Sequence, residues 1–232
     1  MLLPYKNRSE AGRELANALQ PYANRSDVLI LALPRGGVPV AYEVATALNA
    51  SLDLMLVRKL GLPGHEELAM GAIATGGVRV LNAEVIQGLA VSEAEIERIA
   101  AAELQELRRR ERVYRDERPV PEIQGRCIIL IDDGLATGAT MQAALAAIRQ
   151  QRPAEIVVAV PVSPPDAVAF LREQADAVIC PAMPEPFLGV GQWYEDFTQV
   201  TDAEVRDLLE HIWRDRPERD RSSAAGIPKY SS

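Results

Sequence analysis

The stretch Ile128–Met141, IILIDDGLATGATM, decides how the rest of the chain is read. Four aliphatic residues, Ile128 to Ile131, run into two adjacent carboxylates, Asp132 and Asp133, and then into small residues, threonines and a glycine. A short apolar run bounded by turn residues is the pattern of a strand buried on both faces, as in a parallel sheet. The loop that follows, Ala136, Thr137, Gly138, Ala139 and Thr140, leads into the helical pattern ATMQAALAAIRQQ. It offers backbone N–H groups at a helix start, two hydroxyls, and side chains small enough for a phosphate to approach closely. It lacks the Gly-Lys-Ser or Gly-Lys-Thr of a Walker loop. Asp132 and Asp133 are hydrogen-bond acceptors, suited to the hydroxyls of a sugar attached to that phosphate. The bland alternative is a pair of solvent-facing aspartates before an ordinary helix cap.

Around this stretch the pattern alternates. Residues 9–19 place Ala11, Leu15, Ala18 and Leu19 at helical spacing. DVLILALPRGG reads as a buried strand ending in a loop, VPVAYEVATALNA as a helix and SLDLMLVRK as a second strand, which together make a βαβ unit. GAIATGGVRVL, with Gly76 and Gly77 at its centre, predicts a hairpin. Residues 82–118 are read as a helical insertion: Ser92 and Glu95 form a capping box, and Ile96, Ile99, Leu104 and Leu107 mark one face of a long helix. The arginine-rich end of that helix, RRRERVYRDER, is read as a solvated face laced with glutamates. Beyond the central stretch come the strand EIVVAVPV, a helix opened by Ser163 with Pro164 at its first position, and the strand DAVICPA. Thr201 and Glu204 cap a last helix ending near Trp213, and residues 214–232 form a charged, loose tail. The expected fold is α/β: one domain over 1–213 with an open parallel sheet flanked by helices, the helical insertion and an aromatic segment at 181–200.

A chain of 232 residues with 48% hydrophobic content can bury a sizeable core. Its net charge of −8 and pI near 5.0 speak against nucleic acid or an anionic membrane as the main partner, so an anionic ligand needs a local site. Cys127 and Cys180 sit in apolar runs and read as small core residues of a reduced, cytoplasmic protein. No segment approaches the ~20 apolar residues of a membrane span, and the first residues show no signal-like apolar core.

In an open parallel sheet, ligands collect at the carboxyl ends of the strands. Three loops belong there: LPRGG, VRKLGLPG and DDGLATGAT. With these residues in place, IILIDDGLATGAT resembles the phosphoribosyl diphosphate (PRPP) motif of type I phosphoribosyltransferases. The resemblance implies that Asp132 and Asp133 bind the ribose hydroxyls and that Ala136 to Thr140 cradle the 5-phosphate. LPRGG is similar to the family's pyrophosphate loop, and VRKLGLPG to the basic stretch that opens its mobile loop. Arg35, Arg58 and Lys59 are then the cations for the diphosphate, Gly36 and Gly37 let the backbone approach it, and Mg²⁺ is a further counter-charge. The family's pyrophosphate loop often holds a non-proline cis peptide, which is expected at Arg35–Gly36. GLPGHEELAMG is a candidate lid, and His65 within it is read as solvent-exposed.

The implied reaction is attack of a nitrogen nucleophile on ribose C1 with loss of pyrophosphate. Six-oxopurine members of the family carry an aspartate three residues after the acidic pair, where this chain has Ala136, which resembles adenine- or uracil-transferring members instead. The glutamate of the adenine enzymes, however, is replaced here by Ala74 and Thr75. Phe187, Trp193 and Tyr194 in PEPFLGVGQWYEDF can stack on a planar base, or else simply cover the edge of the sheet. The expected partners are PRPP and a small-molecule acceptor, with a homodimer allowed. The rival readings are a non-catalytic PRPP- or nucleotide-binding regulator and a phosphatase using the aspartate pair.

Overall fold

The computed structural model describes residues 3–62, 65–89, 91–116 and 118–214. The main sheet has five parallel strands: β1 (Val28–Ala32), β2 (Ser51–Leu54), β6 (Cys127–Ile131), β7 (Glu155–Ala159) and β8 (Ala177–Ile179), in the order β2-β1-β6-β7-β8. A second, antiparallel sheet is formed by β3 (Val57–Leu62), β4 (His65–Ala74) and β5 (Val78–Leu81). Every residue of β1 and β6 is buried, as their uninterrupted apolar sequences require. Ile30 and Ala32 face one core with α1 (Arg8–Ala18), α2 (Gly37–Leu48) and α7 (Asp202–Arg214). Leu29 and Leu31 face the other, with α5 (Ala139–Gln150) and α6 (Pro165–Arg172). The expected parallel sheet between helices is the observed one.

After β1 the chain moves outward to β2, then returns to place β6 on the other side of β1. The strand order therefore reverses between β1 and β6, which is where an open sheet leaves a crevice at its carboxyl ends. Ala32 pairs with Ile131, so both strands end level and their loops leave side by side.

Several boundaries differ from the sequence reading. Residues 51–59 form two strands in two sheets, not one. At the break, the backbone of Leu56 turns from the main sheet to Thr75: its N–H donates to Thr75 Oγ1 at 2.9 Å, and its carbonyl accepts from the Thr75 N–H at 2.9 Å. The hairpin around Gly76 and Gly77 forms as β4 and β5, but β4 reaches back to His65, so the candidate lid is largely paired strand. Pro63 and Gly64 of that segment, the side chain of His65 and the tail after Arg214 lie outside the described residues. Helix α6 starts at Pro165 with Pro164 as its cap, one residue later than expected. The capping box of α7 is reciprocal: Glu204 N–H donates to Thr201 Oγ1, and Thr201 N–H donates to Glu204 Oε2 at 2.7 Å. Among the described residues no helix is long and apolar enough to cross a membrane.

The region 82–118 contains α3 (Ala83–Gly88) and the long α4 (Glu93–Arg115), whose Ser92 cap accepts from the Glu95 N–H. Its C-terminal turn is fixed to the sheet by Arg115, only 2% exposed, whose Nε donates to Asp53 Oδ1 at 2.6 Å and whose terminal nitrogen donates to the Leu54 carbonyl. On α7, Trp213 Nε1 donates to the Leu52 carbonyl at 2.9 Å and helps to cover the β2 edge. Removing the guanidinium from a buried pair strands a charge, whereas an exposed pair contributes little. Arg115→Ala is therefore expected to lower unfolding free energy by about 3 kcal/mol in urea titration. Arg149→Ala, which breaks the half-exposed pair with Asp176, should cost about 0.5 kcal/mol. Equal effects from the two would contradict this assignment.

Candidate active site

The loops after β1 and β6 are in direct contact. A Cβ built on Gly36 would lie 2.0 Å from Asp133 Oδ2, and one on Gly37 would lie 2.8 Å from the Ile131 carbonyl oxygen and 2.9 Å from Asp132 Cα. These glycines are required because their backbone is pressed against the acid pair, a constraint in addition to the expected approach of a diphosphate. The non-proline cis peptide is Pro34–Arg35, one bond before the position expected from the sequence.

Asp132 Oδ1 accepts the Asp133 N–H at 2.8 Å. Asp133 Oδ2 accepts from Arg8 Nε at 2.8 Å, and both side chains of this pair are nearly buried, 13% and 10% exposed respectively. Arg8 also donates to the Thr198 carbonyl at 2.8 Å, and its guanidinium carbon sits 4.0 Å from the Phe197 ring centroid. Above the pair lies the chain of residues 181–200: Tyr194 donates its hydroxyl to the Asp133 carbonyl, and a Cβ on Gly134 would strike Val190 at 2.6 Å. Burial raises the Tyr194 pKa, with the Asp133 charge adding to the effect, so its hydroxyl keeps the proton it donates.

Residues Ala136 to Thr140 leave β6 and enter α5, with Gly138 at φ +72° as the cap. Ala136, Thr137 and Thr140 are exposed and Ala139 half-exposed. The first amides of a helix have no intrahelical acceptor, and here they adjoin the acid pair, so the arrangement offers an anion cradle beside hydroxyl acceptors.

Other predicted site residues go elsewhere. Arg35, 37% exposed, lies 3.8 Å from Asp202 of α7. Arg58 is ion-paired with Glu103 of α4 at 2.6 Å, while Lys59, adjacent in the same strand, is exposed. Phe187 and Trp193 are half-buried with ring centroids 6.1 Å apart, and Trp193 Nε1 is buried without a hydrogen-bond partner among the described residues. Tyr194 is buried with Tyr5 and Phe197 against its ring, so its role is to fasten residues 181–200 to the acid pair. Sequence reasoning missed Arg8, which stands 125 residues from Asp133 and carries no local signal.

The fold and this crevice define a class: a doubly wound parallel-sheet protein with a small-residue helix-start loop and paired carboxylates at its switch point. The chain matches the phosphoribosyl transferase domain over residues 1–191, and it belongs to that family. It is 44% identical over 224 residues to "Putative phosphoribosyl transferase Rv0571c" of Mycobacterium tuberculosis, with 97% of this chain and 50% of that protein covered. "Putative phosphoribosyl transferase MT0597", from another strain of the same species, gives the same figures. The chain thus spans about half the length of the curated relatives it matches. The crystal structure of TT1426 from Thermus thermophilus is similar at a TM-score of 0.81 and 42% identity, covering 90% of this chain and 99% of that one.

Burial, with the charge of Asp133, pushes the Asp132 carboxyl well above the usual carboxylate range; Asp133 is also raised, because burial outweighs the opposing Arg8. The folded state then binds these protons more tightly than the unfolded chain does. The pair's contribution to stability is therefore fully present below the ordinary carboxylate pKa and is lost as pH rises through the raised native values. Asp132→Asn removes the charge and keeps an oxygen for the Asp133 N–H. It is expected to stabilise the fold by about 1 kcal/mol near pH 8 and by almost nothing near pH 4, read from thermal melts. A lower melting temperature for the variant at the higher pH would contradict the buried-charge account.

Proposed function

We propose that the crevice binds PRPP and transfers its 5-phosphoribosyl group to a nitrogen acceptor, a nucleobase or similar heterocycle, releasing pyrophosphate. The observation that carries this reading is the Gly36–Gly37 backbone pressed against Asp132 and Asp133 at the switch point, with the helix-start loop following the acid pair directly in the chain. Asp132 and Asp133 accept the ribose hydroxyls, and Ala136, Thr137, Gly138, Ala139 and Thr140 hold the 5-phosphate on amides and hydroxyls. Arg35, Gly36 and Gly37 meet the diphosphate. Arg58, already paired with Glu103, is given no part in this reading.

Among the described residues no group of three histidine, cysteine, aspartate or glutamate side chains could hold a metal ion. Mg²⁺ does not need such a group, since it is commonly held by one or two carboxylates together with substrate phosphates. Asp132 and Asp133 are the carboxylates available to it here, and the ion would neutralise charge on the departing diphosphate. In the reaction the C1–oxygen bond breaks, pyrophosphate leaves with the electron pair, the acceptor nitrogen forms the new bond to C1, and its proton passes to solvent. The protein's tasks are to position the reactants, stabilise charge and exclude water, with no covalent nucleophile. Residues 181–200 roof the acid pair through Tyr194 and Val190, and Phe187 and Trp193 of the same segment are candidate supports for a planar acceptor.

The test is pyrophosphate release from PRPP and Mg²⁺ across a panel of purines, pyrimidines and amide donors. Release that depends on one class of acceptor is expected, reduced about 100-fold or more by Asp133→Asn, since a lost charge-assisted hydrogen bond costs up to about 3 kcal/mol. PRPP binding without turnover on any acceptor would favour a non-catalytic binding protein and contradict transfer.

A further inference from the structure

Arg8 stands where two local costs oppose it. It is the first residue of α1, at the positive end of that helix's dipole, where a cation is disfavoured. It is also only 9% exposed, and a charge taken out of water is costly unless it is paired. Three contacts hold it there. Nε donates to Asp133 Oδ2 at 2.8 Å, a terminal nitrogen donates to the Thr198 carbonyl at 2.8 Å, and the guanidinium carbon lies 4.0 Å from the Phe197 ring centroid. A planar group gripped at two nitrogens and on one face has a single orientation.

The segments that carry these contacts are themselves joined. Tyr5 forms a parallel bridge with Tyr194: its N–H donates to the Trp193 carbonyl at 2.8 Å, and its carbonyl accepts from the Glu195 N–H at 2.8 Å. The Asp196 N–H donates to the Lys6 carbonyl at 3.0 Å, and the Tyr5 hydroxyl donates to the Pro161 carbonyl at 3.1 Å. Asn7 then caps α1 by accepting the Glu10 N–H at 3.0 Å, so the chain turns into the helix at Arg8. Residues 5 and 6 are thus laid along residues 193–196, and Arg8 reaches from their end to the acid pair. There it grips one oxygen of Asp133, as the Asp133 N–H grips Oδ1 of Asp132. Each carboxylate is held by one oxygen, which fixes where its other oxygen points.

We propose that Arg8 is a positioning residue for the sugar: by gripping Asp133 Oδ2 it aims Asp133 Oδ1 at a ribose hydroxyl, without touching the ligand itself. Hydrogen bonds weaken steeply when their angle is lost, so an acceptor fixed in advance binds a hydroxyl more tightly than one that must first be ordered. A purely structural pair, such as Arg115 with Asp53, contributes to folding and not to the choice of ligand. That the ligand is a ribose 5-phosphate unit rests on the function proposed above.

Calorimetric titration of the full chain with ribose 5-phosphate and with 2,3-dideoxyribose 5-phosphate, without divalent cations, reads the contribution of the two hydroxyls as a ratio of affinities. The unaltered chain is expected to prefer ribose 5-phosphate by about 30-fold or more, and Arg8→Met to cut that preference to about 3-fold or less. Binding of the dideoxy sugar, which has only its phosphate to hold it, should stay within about twofold. Arg8→Lys should restore part of the preference, since the charge returns without the second fixed donor. In the Asp133→Asn background Arg8→Met should change the preference no further, because Arg8 acts through Asp133. Arg115→Met is the control: it lowers the melting temperature and leaves the preference intact. An unchanged or larger preference in Arg8→Met, an equal loss for both sugars, or a loss that persists in the Asp133→Asn background overturns the role of Arg8. Should Arg8→Met fail to fold, Arg8→Lys decides, and an undiminished preference in it overturns the role equally. An unaltered chain with no preference, or one whose preference ignores Asp133→Asn, overturns the phosphoribosyl reading and this role with it.

Discussion

Asp133 is the residue on which the site depends. Four segments that are remote in sequence meet there: Arg8 of the first helix, the Gly36 backbone after β1, the end of β6, and Tyr194 from the 181–200 segment. Each contact solves part of one problem, which is holding two adjacent carboxylates in a largely enclosed place. The arginine supplies the opposing charge. The absence of a side chain at Gly36 supplies the room, since any Cβ would overlap the carboxylate. Tyr194 and Val190 close the roof. A buried acid pair is costly to a fold and is tolerated where it does something else, which in the proposed function is accepting hydrogen bonds from a sugar.

The sheet explains why this point exists. Level strand ends at Ala32 and Ile131 and a reversal of strand order between them leave two loops side by side. Region 82–118 does not disturb that geometry. Its helix α4 packs on β3, β4 and α7, is tied to β2 by Arg115, and brings Arg109 and Arg110 to the loop that carries Arg35. Thus Arg35 and two arginines of α4 come to share one cavity.

Much of the core was legible in the sequence because β1 and β6 are unbroken apolar runs and their loops carry small residues and glycines in characteristic places. The parallel sheet, its flanking helices and the caps at Ser92 and Thr201 all follow from local pattern. What local pattern could not show was anything decided by long-range contact. The apolar stretch from residue 51 to 59 looks like one strand; its division at Leu56 is set by a partner, Thr75, 19 residues away. Arg58 looks like a ligand for phosphate, and Glu103 claims it. Tyr194 looks like a stacking surface, and its own neighbours bury it. Arg109 and Arg110 read as a solvated, glutamate-laced face, and that reading is half right: they do pair with Glu106, yet they also line the cavity beside Arg35. Arg8 carries no signal because an arginine near the start of an amphipathic helix is ordinary until the fold places it against Asp133.

The most direct test of the central claim is a crystal structure of the full chain grown with PRPP and Mg²⁺. The account predicts ribose hydroxyls within hydrogen-bonding distance of the Asp132 and Asp133 carboxylates, and the 5-phosphate over the amides of residues 136–140. Ligand density away from the β1–β6 crevice, or a phosphate against the acid pair with the helix-start loop empty, would contradict it.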